Sequence, residues 1–204
     1  VLGAAVILVP AILLIPRPEY LAISNYLQNF TAIAGAMLLV IAWYRYGRPE
    51  YPLWAAGALG LWGLSNIAWY AVILVGDRAV VFPSLIDIGI IASIGLLALA
   101  FHKGFAKKQV PQYLLPAVIV IALIVSSGVI VTQGLNVPAL VTLLYFLSCG
   151  SLLATSLGHS PAGCPFILAG SLLFALAFMI YPLREMYFIT NPLLDVIGVF
   201  VFAG

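Results

Sequence analysis

Eight apolar runs constrain this chain more than any other feature. They cover residues 1–15, 27–44, 53–75, 84–101, 113–132, 137–157, 166–183 and 193–204. A hydrocarbon core of about 30 Å is crossed by roughly 20 helical residues, and most of these runs approach that length. Backbone N–H and C=O groups find no water in lipid, so a spanning segment must be a helix or part of a closed barrel. Continuous apolar stretches of this length, without strand-like alternation, argue for helices. Composition agrees: 65% of residues are apolar and 7% charged, against roughly 45–50% and 25% in soluble domains. The expected fold is all-α, a polytopic membrane bundle of about eight transmembrane helices. Short loops built from Arg17-Pro18-Glu19, Arg48-Pro49-Glu50, Gly76-Asp77-Arg78, Gly134-Leu135-Asn136 and Ser160-Pro161-Ala162-Gly163 leave no room for a soluble domain between spans.

Two segments are near-copies, Pro83-Ser84-Leu85-Ile86-Asp87-Ile88-Gly89 and Pro192-Leu193-Leu194-Asp195-Val196-Ile197-Gly198. Asp87 and Asp195 stand 108 positions apart, and Pro52-x4-Gly57 matches Pro165-x4-Gly170 at an offset of 113. The third and fourth runs thus correspond to the seventh and eighth. This predicts two four-helix repeats, residues 1–110 and 111–204, the last helix truncated. An even number of spans gives both repeats the same orientation, with a pseudo-two-fold along the membrane normal. Arg45, Arg48, Lys103, Lys107 and Lys108 fall on the even loops, and Arg17, Arg78 and Arg184 on the odd ones. The excess places the even loops and both termini in the cytoplasm of a cell-membrane protein. Tyr20, Tyr26, Trp43, Tyr44, Trp54, Tyr113 and Tyr187 flank the runs as interfacial aromatics do. Residues 1–15 lack the charged n-region and cleavage site of a secretory signal and read as a mature span. Residues 193–204 would make only about 18 Å of helix, so a continuation into a tail or a further module is expected.

The aspartates admit two readings. Ser84-Leu85-Ile86-Asp87 fits a capping box, and Asn191-Pro192 fits an N-cap followed by Pro, with Asp195 one turn in. Alternatively, both acids face each other inside the bundle and bind a cation or amine, or share a proton, since intramembrane acids are costly and tend to be functional. In the third run, Trp62, Asn66 and Trp69 share a helical face, with Tyr70 beside them. They form either an aromatic-lined pocket with Asn66 as its hydrogen-bonding group or an interhelical packing seam. Arg184 and Glu185, like Asp77 and Arg78, read as surface pairs. Gly57, Gly60 and Gly63, and Ser148, Cys149, Ser151 and Thr155, read as packing surfaces.

Catalytic sets are missing from the sequence. There is no HExxH, GxSxG or CxxC, and His102 and His159 both lie at loop edges. The last run carries no lysine for a Schiff base. Cys149 and Cys164 have no metal-ligand spacing and read as free thiols. No cofactor is implied, and a net charge of +2 without a basic stripe argues against nucleic-acid partners.

The block from 53 to 101 carries Gly60-Leu61-Trp62-Gly63, then Trp69-Tyr70, then Phe82-Pro83-Ser84-Leu85-Ile86-Asp87. It resembles the multi-span sensor regions that precede cytoplasmic diguanylate cyclase or histidine kinase modules in prokaryotes, and Pro192-Leu193-Leu194-Asp195 is similar to the echo seen in such regions. The likeness covers about a quarter of the chain. It departs from the pattern at Ile88-Gly89-Ile90-Ile91, where aromatics often follow the acid. The resemblance implies a sensory, non-enzymatic membrane domain that relays a signal to a C-terminal module. Its ligand, a small molecule or ion, is expected to meet Asp87, Asn66, Trp69, Tyr70, Asp195 and Trp62 in one outward pocket. Two other expectations compete: a small-solute or ion transporter with its site between the repeats, and an accessory or scaffold subunit of a membrane complex or homo-oligomer.

Overall fold

The computed structural model describes residues 17–47, 50–76, 81–104, 113–159 and 165–187. Within them lie six helices: α1 (Arg17–Arg45), α2 (Glu50–Gly76), α3 (Leu85–Gly104), α4 (Leu114–Gln133), α5 (Val137–His159) and α6 (Pro165–Tyr187). There are no strands among the described residues. Five of the helices are long and apolar enough to cross a membrane, and α6 contributes a shorter apolar stretch, Ala169–Leu183. The described residues are all-helical, and their five long apolar helices are those of a membrane protein. The expected first and eighth spans, and Asp195 with them, lie outside the described residues.

The six described helices coincide with the six inner apolar runs, with one correction. Arg17-Pro18-Glu19, expected as a loop, is the first turn of α1. Proline is tolerated there because the first N–H groups of a helix have no intrahelical acceptor. At 29 residues, α1 is about 43 Å long.

Polar side chains turn inward and large apolar ones outward. Ser65, Asp87, Ser93, Ser126, Thr142, Ser156 and Ser171 are buried, whereas Phe30, Met37, Leu38, Leu85, Ile124 and Val131 are exposed. That distribution suits a lipid solvent, in which an exposed leucine costs nothing and a hydroxyl is better placed between helices. Most hydroxyls bond a carbonyl three or four residues back, as Ser93 does with Ile90 at 2.7 Å and Thr142 with Pro138 at 2.8 Å. Each satisfies itself within its own helix.

Helix α2 packs on α1 and α3, and α5 packs on α3, α4 and α6. Helix α3 therefore meets α5 directly, with α4 set outside that contact. Glycines permit several of these approaches. Ser65 sits directly over Gly89 at the α2–α3 seam, and Val118 over Gly150 at the α4–α5 seam. Of the expected small-residue faces, Gly63 is buried against Ala32 and Ile33 of α1, and Gly57 faces Leu96 of α3, while Gly60 has open space. At one end of the bundle Lys103 pairs with Glu50 at 3.5 Å. Both side chains are exposed, so the pair contributes at most about 1 kcal/mol.

These seams make opposite predictions for two glycines. A Cβ at Gly150 would strike Val118 and lie 3.2 Å from its Cβ, while one at Gly60 would meet nothing within 4 Å. A helical valine has one strongly preferred rotamer and cannot swing aside. Gly150→Ala is expected to destabilise the bundle by about 1–3 kcal/mol and Gly60→Ala to leave it unchanged or more stable, as read from reversible unfolding in mixed micelles.

Candidate functional site

The site is built where α3 begins. Ser84 precedes the first helical residue, and Asp87 stands at the third position of the helix, close enough for its carboxylate to return to the free N–H groups of the first turn. The Ser84 N–H donates to Asp87 Oδ2 at 2.6 Å, and the Ser84 hydroxyl donates to the same oxygen at 2.9 Å. The first bond is the acid's half of a capping box. The hydroxyl makes the second bond with the carboxylate and not with the Asp87 N–H. The capping reading of Asp87 therefore holds.

Capping does not exhaust what Asp87 does. It is 1% exposed, and its other oxygen, Oδ1, accepts a hydrogen bond of 2.8 Å from the hydroxyl of Tyr145 in the third turn of α5. A carboxylate that only capped a helix would be solvated at the headgroup level. This one is enclosed and tied to a residue 58 positions away. No cation pairs with it among the described residues. Its partners are Ser84 and Tyr145, and the Tyr145 ring is itself packed among other rings.

Those rings come from three further places in the chain. Phe82, just before the cap, lies 6.4 Å from the Tyr145 ring and 6.0 Å from Tyr181, edge to face with the latter. Tyr145 also meets Tyr181 at 5.7 Å and stacks parallel to Phe178 at 6.4 Å. Phe174, Phe178 and Tyr181 follow at helical spacing on one face of α6, and Phe174 lies 4.7 Å from Phe178. Phe174 in turn meets Trp62 of α2 edge to face at 6.3 Å. A continuous path of aromatic contacts thus runs from Trp62 through α6 to the Tyr145–Asp87 bond. Tilted and edge-to-face pairs at such separations each add about 0.5–1.5 kcal/mol beyond their buried area.

The residues expected in one pocket fall into two groups. Trp62 is buried and joins Asp87 through the ring path. Asn66 lies on the stripe Leu59, Gly63, Asn66, Tyr70 that faces α1; Tyr70 meets Tyr26 of α1 at 5.8 Å, and Trp69 meets Tyr70 at 6.0 Å. The hydrogen bonds of Asp87 go to Ser84 and Tyr145 and not to Asn66, Trp69 or Tyr70. Asp195 lies outside the described residues, as do Asp77 and Arg78. Sequence reasoning passed over Tyr145, Tyr181, Phe174, Phe178 and Asn29. The available signal was a tyrosine in the middle of an apolar run, where its hydroxyl must find a partner, and the i, i+4, i+7 ring series on α6.

Comparison with protein-family models, with curated proteins and with solved structures finds no match.

Removing each donor to Asp87 separately grades their contributions. Ser84→Ala keeps the backbone N–H that caps the helix, removes only the hydroxyl bond to the same oxygen, and is expected to cost about 1 kcal/mol, the usual net value of one hydrogen bond. Tyr145→Phe leaves one buried oxygen without its donor and is expected to cost about 1–2 kcal/mol, between the range for interhelical bonds in membranes and that for bonds to charged groups. Unfolding in dodecyl sulfate mixed micelles measures both. Equal stability of wild type and Tyr145→Phe would remove the bond from the folded state.

Proposed function

We propose that this chain is the ligand-sensing membrane domain of a signalling protein, and that its site is the Asp87 carboxylate with the Tyr145 hydroxyl and the rings around them. The observation that carries this reading is the Tyr145–Asp87 bond at 2.8 Å, between a buried acid with no cation partner among the described residues and the helix packed across from it. An acid whose hydrogen-bond partner, Tyr145, is surrounded by the rings of Phe82, Phe178 and Tyr181 is an arrangement that can recognise a small cation or an amine, through the carboxyl group and through the ring quadrupole. Such a ligand would compete with the Tyr145 hydroxyl for Oδ1. Binding would therefore favour an altered packing of α3 against α5, and a ligand drives a conformational change only through such a difference in affinity. In this reading α3 and α5 belong to the two expected repeats, 1–110 and 111–204. The eighth span carries the shift to a cytoplasmic module, consistent with both termini lying on that side of a cell membrane.

One observation weighs against the transporter reading. Asp87 occupies the first turn of α3, about 3 Å along the axis from its first residue, whereas substrates of repeat-built transporters bind near the bilayer midplane. A site at the edge suits reception from one side.

Trp62, at the far end of the ring path, reports on the site. In a variant with Trp62 as its only tryptophan, titration with sodium, potassium and ethylammonium chlorides is expected to give a saturable emission change for at least one cation. Asp87→Asn is expected to weaken that response at least about tenfold, the equivalent of roughly 1.4 kcal/mol. No saturable response to any of the three, or an equal response in Asp87→Asn, contradicts the proposal. Asp87-dependent flux of the responding cation into proteoliposomes would assign the site to transport.

A further inference from the structure

The seam between α1 and α2 holds a second polar feature, separate from Asp87. Three contacts fix how these helices run past each other. A Cβ at Gly35 would lie 3.2 Å from Leu59, Gly63 faces Ala32 at 3.4 Å, and the rings of Tyr26 and Tyr70 lie 5.8 Å apart. The helices are antiparallel, so each step back along α1 is matched by a step forward along α2. Asn29, three residues before Ala32, and Asn66, three residues after Gly63, consequently stand at one level on facing stripes.

Each asparagine leaves one buried atom without a hydrogen bond among the described residues: Oδ1 of Asn29, an acceptor, and Nδ2 of Asn66, a donor. The two needs are complementary. Unmet amide groups in an apolar medium are strongly unfavourable, and their cost vanishes when one molecule supplies a donor to Asn29 and an acceptor to Asn66. The seam is closed on one side by the Gly63–Ala32 approach and on the other by the Tyr26–Tyr70 rings, with Trp69 against Tyr70. Tyr26 is 64% exposed, which puts this closure at the surface of the bundle. Neither facing stripe carries an acid or a base between Tyr26–Tyr70 and Gly35–Leu59.

The geometry points to a binding site between α1 and α2 for a small uncharged molecule that presents a hydrogen-bond donor and an acceptor together, of the amide or alcohol class, held by Asn29 and Asn66 beneath the Tyr26–Tyr70 pair. This site does not use Asp87 and stands or falls independently of the cation reading.

Acetamide is the probe. In the full chain carrying Trp69 as its only tryptophan, acetamide is expected to change the emission saturably. Asn29→Leu and Asn66→Leu should each weaken its apparent affinity by about tenfold or more, as loss of a hydrogen bond with its partner stranded implies, while Asp87→Asn leaves it unchanged. Thermal unfolding without acetamide gives a second reading that does not depend on binding. Each leucine removes an unmet amide from the seam, so the unfolding midpoint is expected to rise. A linear, unsaturable response, or equal acetamide affinity in both leucine variants, overturns the site. So does a lower midpoint in either leucine variant, because it would mean that the two amides bond each other and need no guest.

Discussion

A carboxyl group enclosed within a membrane bundle must find its hydrogen bonds inside the protein, and the arrangement around Asp87 follows from that requirement. Its position in the first turn of α3 gives it the Ser84 N–H and hydroxyl. Its enclosure then requires a donor from elsewhere, and Tyr145 supplies it from α5. The packing of α3 on α5 therefore carries a directional bond at its edge. Most buried hydroxyls in the bundle satisfy themselves within their own helix and constrain no partner; the Tyr145 hydroxyl fixes one.

The rings extend this constraint across the molecule. Phe82 packs on both Tyr145 and Tyr181, and the α6 series passes the contact on to Trp62 in α2. Rings held in edge-to-face and tilted pairs resist small displacements. Any motion of Tyr145 away from Asp87 would be felt at α2 and α6 as well as α5. This is the physical content of the sensory proposal: a local exchange of partners at Oδ1 becomes a change in how several helices pack.

Much of this architecture was legible in the sequence because a bilayer permits so few solutions. Run lengths and loop residues placed all six described helices, and Ser84-Leu85-Ile86-Asp87 identified its own cap. The start of α1 was misplaced because Arg17-Pro18-Glu19 has the composition of a loop and also the composition of a first helical turn. Side-chain partners were much harder to read. Helices such as α2 and α3 are apolar on nearly every side, so periodicity gives little sign of which face meets which neighbour. The stripe of Trp62, Asn66 and Trp69 was recognised, yet it wraps from the core to the α1 seam, and only the positions of α1 and α6 show that. The pairing of Asp87 with Tyr145 depends on α3 packing beside α5 with α4 set outside, an order that chain connectivity alone does not give.

The measurement that bears most directly on the central claim is a double-mutant cycle on the bond that joins the two helices. Tyr145→Phe and Asp87→Leu are each made alone and together in the full chain, and unfolding free energies are compared in mixed micelles. A coupling energy of about 1–2 kcal/mol is predicted, at the upper end of what interhelical hydrogen bonds give in membranes. Additivity within about 0.3–0.5 kcal/mol would show two residues that are merely neighbours, and it would contradict the account.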